Sequence, residues 1–154
     1  MLKKYTTKNF KQTQALGKKL ALRLRSGQAK EIKNRKQAVV LGLQGNLGGG
    51  KTTFLQGFSK GIGIKEKILS PTFVIMKRFK INIRQFKNFY HIDCYRLNSL
   101  KDIDELGIKN ILLNPENIVA IEWSEKIKKR LPKSAIIIKF DFVDKNKREI
   151  IVNF

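Results

Sequence analysis

The stretch Gly45-Asn46-Leu47-Gly48-Gly49-Gly50-Lys51-Thr52 meets every fixed position of the pattern G-x-x-x-x-G-K-[ST]. It directly follows Ala38-Val39-Val40-Leu41-Gly42-Leu43, a short continuous apolar run of the kind found in strands buried on both faces. A helix is predicted next, over Thr52–Gly61. Strand, glycine loop and helix in this order restrict the chain to an α/β architecture with the loop at one edge of its sheet. Glycines permit φ > 0 and close backbone approach, so successive N–H groups can turn inward as a nest for phosphate oxygens. The helix start adds its positive dipole end. In such a loop Lys51 bridges the β- and γ-phosphates and the Thr52 hydroxyl coordinates Mg²⁺.

A bound Mg²⁺ takes oxygen ligands, so a phosphate loop also calls for acids. Ile118-Val119-Ala120-Ile121-Glu122 is an apolar strand ending in a carboxylate. His91-Ile92-Asp93-Cys94-Tyr95 alternates, which puts Asp93 on one face with His91 and Tyr95, and Ile92 and Cys94 on the other. Glu122 and Asp93 are therefore the candidate acids. Thr72, in Ser70-Pro71-Thr72-Phe73, stands either as a switch threonine reaching the metal and γ-phosphate or as an ordinary turn hydroxyl. His91 is read as a strand histidine satisfied by a carbonyl, and Cys94 as a small buried apolar residue. Trp123 either covers the core near Glu122 or senses nucleotide. Arg96 either stabilises charge or pairs with Asp102 or Asp104, and Arg148, near the C-terminus, is a minor candidate to approach phosphate.

Around this centre the pattern predicts a strand near Lys4–Thr6 and an amphipathic helix over Asn9–Arg25, with Leu16, Leu20 and Leu24 on one face. Strands are expected over Phe73–Phe79 and Phe89–Tyr95, flanking a basic hairpin loop, and over Ile118–Ile121. Ala135–Phe142 and Glu149–Phe154 read as a hairpin turning at Asp144-Lys145-Asn146-Lys147. Further helices are predicted over Leu100–Gly107 and Glu125–Leu131. The expected fold is a mostly parallel central sheet with antiparallel additions, flanked by helices, in one domain spanning 1–154. One Cys and one His leave no internal disulfide and no structural zinc site, and no apolar run reaches the ~18 residues of a membrane span. Without a signal peptide, a cytoplasmic location is expected.

The formal charge is +21, and residues 1–40 hold 12 basic residues against one acid, Glu31. In Lys77-Arg78-Phe79-Lys80 through Arg84 and Lys87, aromatics Phe79, Phe86, Phe89 and Tyr90 interleave with cations. That interleaving suits an RNA backbone, unless the aromatics are buried inside the hairpin. The basic connection Ser26–Gln37 has no assigned role.

Four stretches in order, GNLGGGKTTF (45–54), SPTF (70–73), HIDCYRL (91–97) and EWSE (122–125), together with Thr13 and Leu16-Gly17, resemble the TsaE (YjeE) family over essentially the whole chain. The resemblance implies a P-loop NTPase fold and an Mg²⁺-dependent ATPase, weak alone. It implies work with the TsaB–TsaD pair that installs a threonylcarbamoyl group on the adenosine beside the anticodon of tRNA. By position it makes Lys51 the phosphate-binding lysine and Thr52 and Glu122 the metal ligands, with Asp93 an essential acid near the metal. Thr72 becomes the switch threonine and Trp123 the tryptophan beside the site. ATP would then be held by Thr13, Gly45, Asn46, Leu47, Gly48, Gly49, Gly50, Lys51, Thr52 and Thr53. Two departures stand in the loop: Asn46 where the family usually has Asp, and Gly49 where it usually has Ala. A nucleotide-gated assembly module and a small P-loop kinase are the competing readings; the chain has no separate Arg-rich lid of the kind kinases carry. Direct tRNA contact through the basic surface is compatible with each.

Overall fold

The structure is a computed structural model and describes residues 1–28, 35–70 and 75–154. Strands β1 (Leu2–Thr7), β2 (Val39–Gln44), β3 (Met76–Ile83), β4 (Phe86–Asp93), β5 (Asn117–Glu122), β6 (Ile136–Phe142) and β7 (Arg148–Asn153) form one sheet in the order β1-β7-β6-β2-β5-β4-β3. The central neighbours β6, β2, β5 and β4 run parallel, and β7, β1 and β3 add antiparallel edges. This is the expected mixed sheet. Alternation along β2 explains its uninterrupted apolar run: Val39, Leu41 and Leu43 feed the core beneath α1 (Phe10–Ser26) and α2 (Lys51–Gly61), while Val40 feeds the core on the opposite face. That second core is covered by α3 (Leu100–Glu105), α4 (Ile108–Leu113) and a 3₁₀ helix over Ser124–Arg130.

Three element predictions are corrected. The helix expected over Leu100–Gly107 stops at Glu105, and Gly107 at φ 70° starts a second short helix that the pattern had not marked. The segment expected as a helix over Glu125–Leu131 is 3₁₀ and kinked at Ile127. The basic hairpin is mostly strand, its turn confined to Arg84 and Gln85, and Phe79, Phe86 and Phe89 are buried in the core. The part of its first strand at Phe73–Val74 lies outside the described residues, as do Thr72 and much of the Ser26–Gln37 connection.

Helices α1 and α2 meet backbone to backbone. A methyl added at Gly57 would sit 1.8 Å from the Gln14 carbonyl oxygen, and one at Gly17 would sit 2.1 Å from that of Phe54. Only glycine lets the helices come this close. The start of α1 is capped by Asn9, whose side chain accepts from Gln12 N at 2.9 Å. At its far end Arg84 donates to the carbonyls of Arg25 and Ser26, at 2.8 and 2.6 Å, placing a cation at the helix C-terminus.

Candidate functional site

Because β2, β4, β5 and β6 run the same way, their carboxyl ends share one edge of the sheet, and a cavity of about 740 Å³ opens there. Its floor is the glycine loop between β2 and α2. Gly45, Gly48 and Gly50 have φ of 133°, 73° and 99°, and a Cβ at Gly45 would meet the Phe140 carbonyl oxygen at 2.4 Å. The loop therefore depends on glycine both for its turn and for the neighbouring strand.

Lys51 opens α2 and is 5% exposed. Its ammonium donates to the carbonyls of Gly45 and Asn46 and lies 4.3 Å from the centre of the Trp123 ring. Burial pushes its pKa down, while Glu122, Glu125 and Asp93 pull it back up. Trp123 reaches this position through a left-handed backbone, φ 57°, at the end of β5.

Beside it the Thr52 hydroxyl donates to Glu122, at 3.0 Å to Oε1 and 3.2 Å to Oε2. On the neighbouring strand His91 Nε2 donates to Glu122 Oε1 at 2.8 Å, with both side chains almost fully buried. His91 is thus satisfied by this carboxylate rather than by a carbonyl, a correction that follows from β4 lying next to β5. Asp93 pairs in register with Glu122, but its carboxylate is taken by Ser70 Oγ at 3.0 Å and Tyr95 N at 2.9 Å. Among the described residues no three His, Cys, Asp or Glu side chains gather as a ready-made metal cluster. The adjoining hydroxyl and carboxylate of Thr52 and Glu122 nonetheless fit Mg²⁺, which takes few protein ligands and keeps waters and phosphate oxygens for the rest.

Thr13 reaches the cavity from α1, its hydroxyl 2.8 Å from that of Thr7. Leu47, Gly48, Gly49, Gly50 and Thr53 line the cavity with it, whereas Gly45 and Asn46 serve through the carbonyls that hold Lys51. Arg96 lines the cavity too; its alternative reading as a partner of Asp102 or Asp104 fails, since Asp102 caps α3 and Asp104 pairs with Arg130 at 2.8 Å. Arg148, the minor phosphate candidate of the sequence, lines the cavity as well. Since β6 flanks β2, the β6–β7 turn reaches the same edge, and Arg148 Nε donates to the Gly48 carbonyl at 3.1 Å. Its guanidinium also lies 4.6 Å from the Phe142 ring centre. Cys94 is buried as expected, and burial together with Asp93 pushes its thiol up to about 12.

A glycine-rich loop joining a central parallel strand to a helix, under a lysine and a hydroxyl–carboxylate pair, defines a protein with a P-loop NTPase-like fold. The crystal structure of Bacillus subtilis YdiB superposes with a TM-score of 0.71 at 28% identity, covering 99% of this chain and 84% of that one. The family model described as "Threonylcarbamoyl adenosine biosynthesis protein TsaE" matches residues 7–150. Two curated relatives bear the name tRNA threonylcarbamoyladenosine biosynthesis protein TsaE. The Haemophilus influenzae protein is 36% identical over 108 residues, 70% of this chain and 66% of its own length. The Bacillus subtilis protein is 31% identical over 147 residues, 96% and 82% of the respective chains. The chain belongs to the TsaE family of tRNA threonylcarbamoyladenosine biosynthesis.

Proposed function

We propose that this chain binds ATP with Mg²⁺ in the cavity and hydrolyses it slowly in support of threonylcarbamoyl modification of tRNA, acting with the TsaB–TsaD pair. The observation that carries the reading is the adjacency of Lys51 and the Thr52–Glu122 pair at the glycine loop. Lys51 now donates to two neutral carbonyls. Phosphate oxygens are stronger acceptors, and each charge-assisted bond contributes ~1.5–3 kcal/mol, so the ammonium exchanges one set for the other when phosphate enters. Glu122 is held from two sides, by His91 and Thr52, so its carboxylate is already oriented. A bound Mg²⁺ supplies neutralisation of charge on the transferring phosphoryl group. Asp93 is the remaining carboxylate on the wall, and in this reading the lone pairs left after its bonds from Ser70 and Tyr95 N orient the attacking water or the water shell of the ion. Arg96 and Arg148 add positive charge at the rim.

The test is ATP hydrolysis by the purified chain with Mg²⁺, alone and with TsaB, TsaD and tRNA, using Lys51→Ala as the blank. Stimulation by the partners with appearance of modified adenosine supports the reading; rapid turnover without partners opposes it. A nucleotide-gated docking module is favoured by one contact: Ser70, at the entrance to residues 71–74, donates to Asp93 on the cavity wall. If Glu122→Ala binds ATP and assembles with the partners but fails in repeated modification cycles, hydrolysis matters beyond docking.

A further inference from the structure

Helix α1 carries five cations, Lys11, Lys18, Lys19, Arg23 and Arg25, and no acid. Lys11, Lys18 and Arg25 recur every seven residues, a spacing that advances about 10 Å along a helix and turns it by only about 20°. They are exposed and form one stripe about 21 Å long, along the flank of the buried face of Gly17, Leu20, Ala21 and Leu24, where a methyl added at Gly61 of α2 would lie 3.0 Å from the Lys18 carbonyl oxygen. Among the described residues none of the five pairs with a carboxylate. Their placement has a local cost: Lys11 sits in the first turn, against the helix dipole, and Lys19 and Arg23 are like charges at i, i+4. The nucleotide cavity uses Thr13, not these side chains.

We propose that this exposed stripe of α1 is an RNA-backbone surface. The apolar face of α1 is already spent on α2, and the large apolar side chains it leaves exposed, Phe10 and Leu22, stand twelve residues apart and form no continuous face for lipid, which leaves phosphates read as a polyanion. The stripe begins at Lys11, next to Phe10 and two residues from Asn9, which border the cavity, so RNA lying along it ends at the mouth of the nucleotide site. The hairpin singled out by the sequence pattern is the poorer surface. Its phenylalanines are buried and unable to stack on bases, Lys77 lies 3.3 Å from Glu66, and Arg84 caps α1. The surface stands whether or not the cavity binds ATP.

The experiment is tRNA binding by the full chain, followed by anisotropy from 50 to 300 mM salt. Three variants are compared with wild type: Lys11→Ala/Lys18→Ala/Arg25→Ala, the same positions as Lys11→Arg/Lys18→Arg/Arg25→Lys, and Lys77→Ala/Arg78→Ala/Lys80→Ala. Loss of three phosphate contacts lowers the slope of log K against log salt by about 2–3, a loss on the order of 100-fold in affinity at 0.1 M. The charge-conserving variant keeps wild-type binding, and the hairpin variant loses less than the α1 alanine variant. The proposal is overturned if wild type does not bind tRNA at 50 mM salt, or if the α1 alanine variant keeps its slope. It is also overturned if the hairpin variant loses as much, or if the stripe binds phosphatidylserine vesicles and not tRNA. ATP binding is read in the same samples; its absence from wild type would refute the nucleotide reading and leave the RNA surface standing.

Discussion

Replacing Gly57 by Ala tests the packing on which the site rests, because two effects of opposite sign compete. In a helix interior, Ala is favoured over Gly by up to about 1 kcal/mol, so local propensity alone makes Gly57→Ala stabilising. The structure reverses the sign. The new methyl would lie 1.8, 2.5 and 2.6 Å from the O, C and Cα of Gln14, all backbone atoms of α1, whereas real Cβ contacts stay beyond 3.0 Å. The helices must part by about 1.2 Å, since backbone cannot swing aside as a side chain can. A gap of that order forfeits a quarter to half of the dispersion energy across the seam, and overpacking of this kind costs ~1–3 kcal/mol or more. A net loss of about 2 kcal/mol is expected, with a fall in Tm of about 4–8 °C for a chain of this size. Urea unfolding followed by far-UV circular dichroism measures it, with the midpoint lowered and the slope unchanged. Gly61→Ala provides an internal comparison: its methyl would meet the Ala21 side chain at 2.5 Å, so Ala21→Gly in the same chain restores part of the loss. A Gly57→Ala variant as stable as wild type, or more stable, refutes the argument.

Three further outcomes are expected. Glu122→Gln keeps the shape beside Thr52 and His91 but removes the charge, so ATP affinity in chelator changes little while the gain in affinity from added Mg²⁺ is lost, measured by titration calorimetry. ATP binding draws Lys51 from the Trp123 ring and shifts tryptophan emission; Lys51→Met abolishes the shift and weakens binding at least about tenfold, the equivalent of one charge-assisted bond. For Cys94 the folded pKa is raised to about 12 from 9.0, so the native state keeps its proton where the unfolded state loses it. Its contribution is intact below pH 9 and declines as pH rises from there toward 12, and iodoacetamide labelling at pH 8 proceeds at the rate of unfolding, not of surface reaction.

Patterns confined to one element were legible in the sequence. The strand–loop–helix unit, β5 ending in Glu122, and the C-terminal hairpin each announce themselves through apolar runs and turn residues. What escaped depends on which strands are neighbours. His91 meets Glu122 because β4 lies beside β5, and Arg148 meets Gly48 because β6 lies beside β2; period-two alternation names a face, not the strand across from it. The α1–α2 seam shows in the sequence as Gly17, Gly57 and Gly61, but a helical glycine carries no mark of the helix it will touch. The Lys77–Lys87 segment misled for a related reason. Its cations and aromatics alternate as for a nucleic-acid platform, and only the core beneath α1 and α2 shows that the rings face inward.

The sheet order has a consequence for how copies of this chain behave toward one another. Among the described residues the sheet ends in β1 and β3, strands with one unpartnered side each. An open edge is a template for further strands and hence for aggregation, and charge, lysine above all, is a common way of blunting it. Here β1 carries Lys3 and Lys4, and β3 carries Lys77, Arg78 and Lys80. Of these Lys4 is paired with Glu149 and Lys77 with Glu66, which leaves Lys3, Arg78 and Lys80 as the cations that repel a second edge brought against them. At 1 M salt, where charges are screened beyond about 3 Å, that guard weakens, and storage concentration becomes limited by strand addition and not by the stability of the fold.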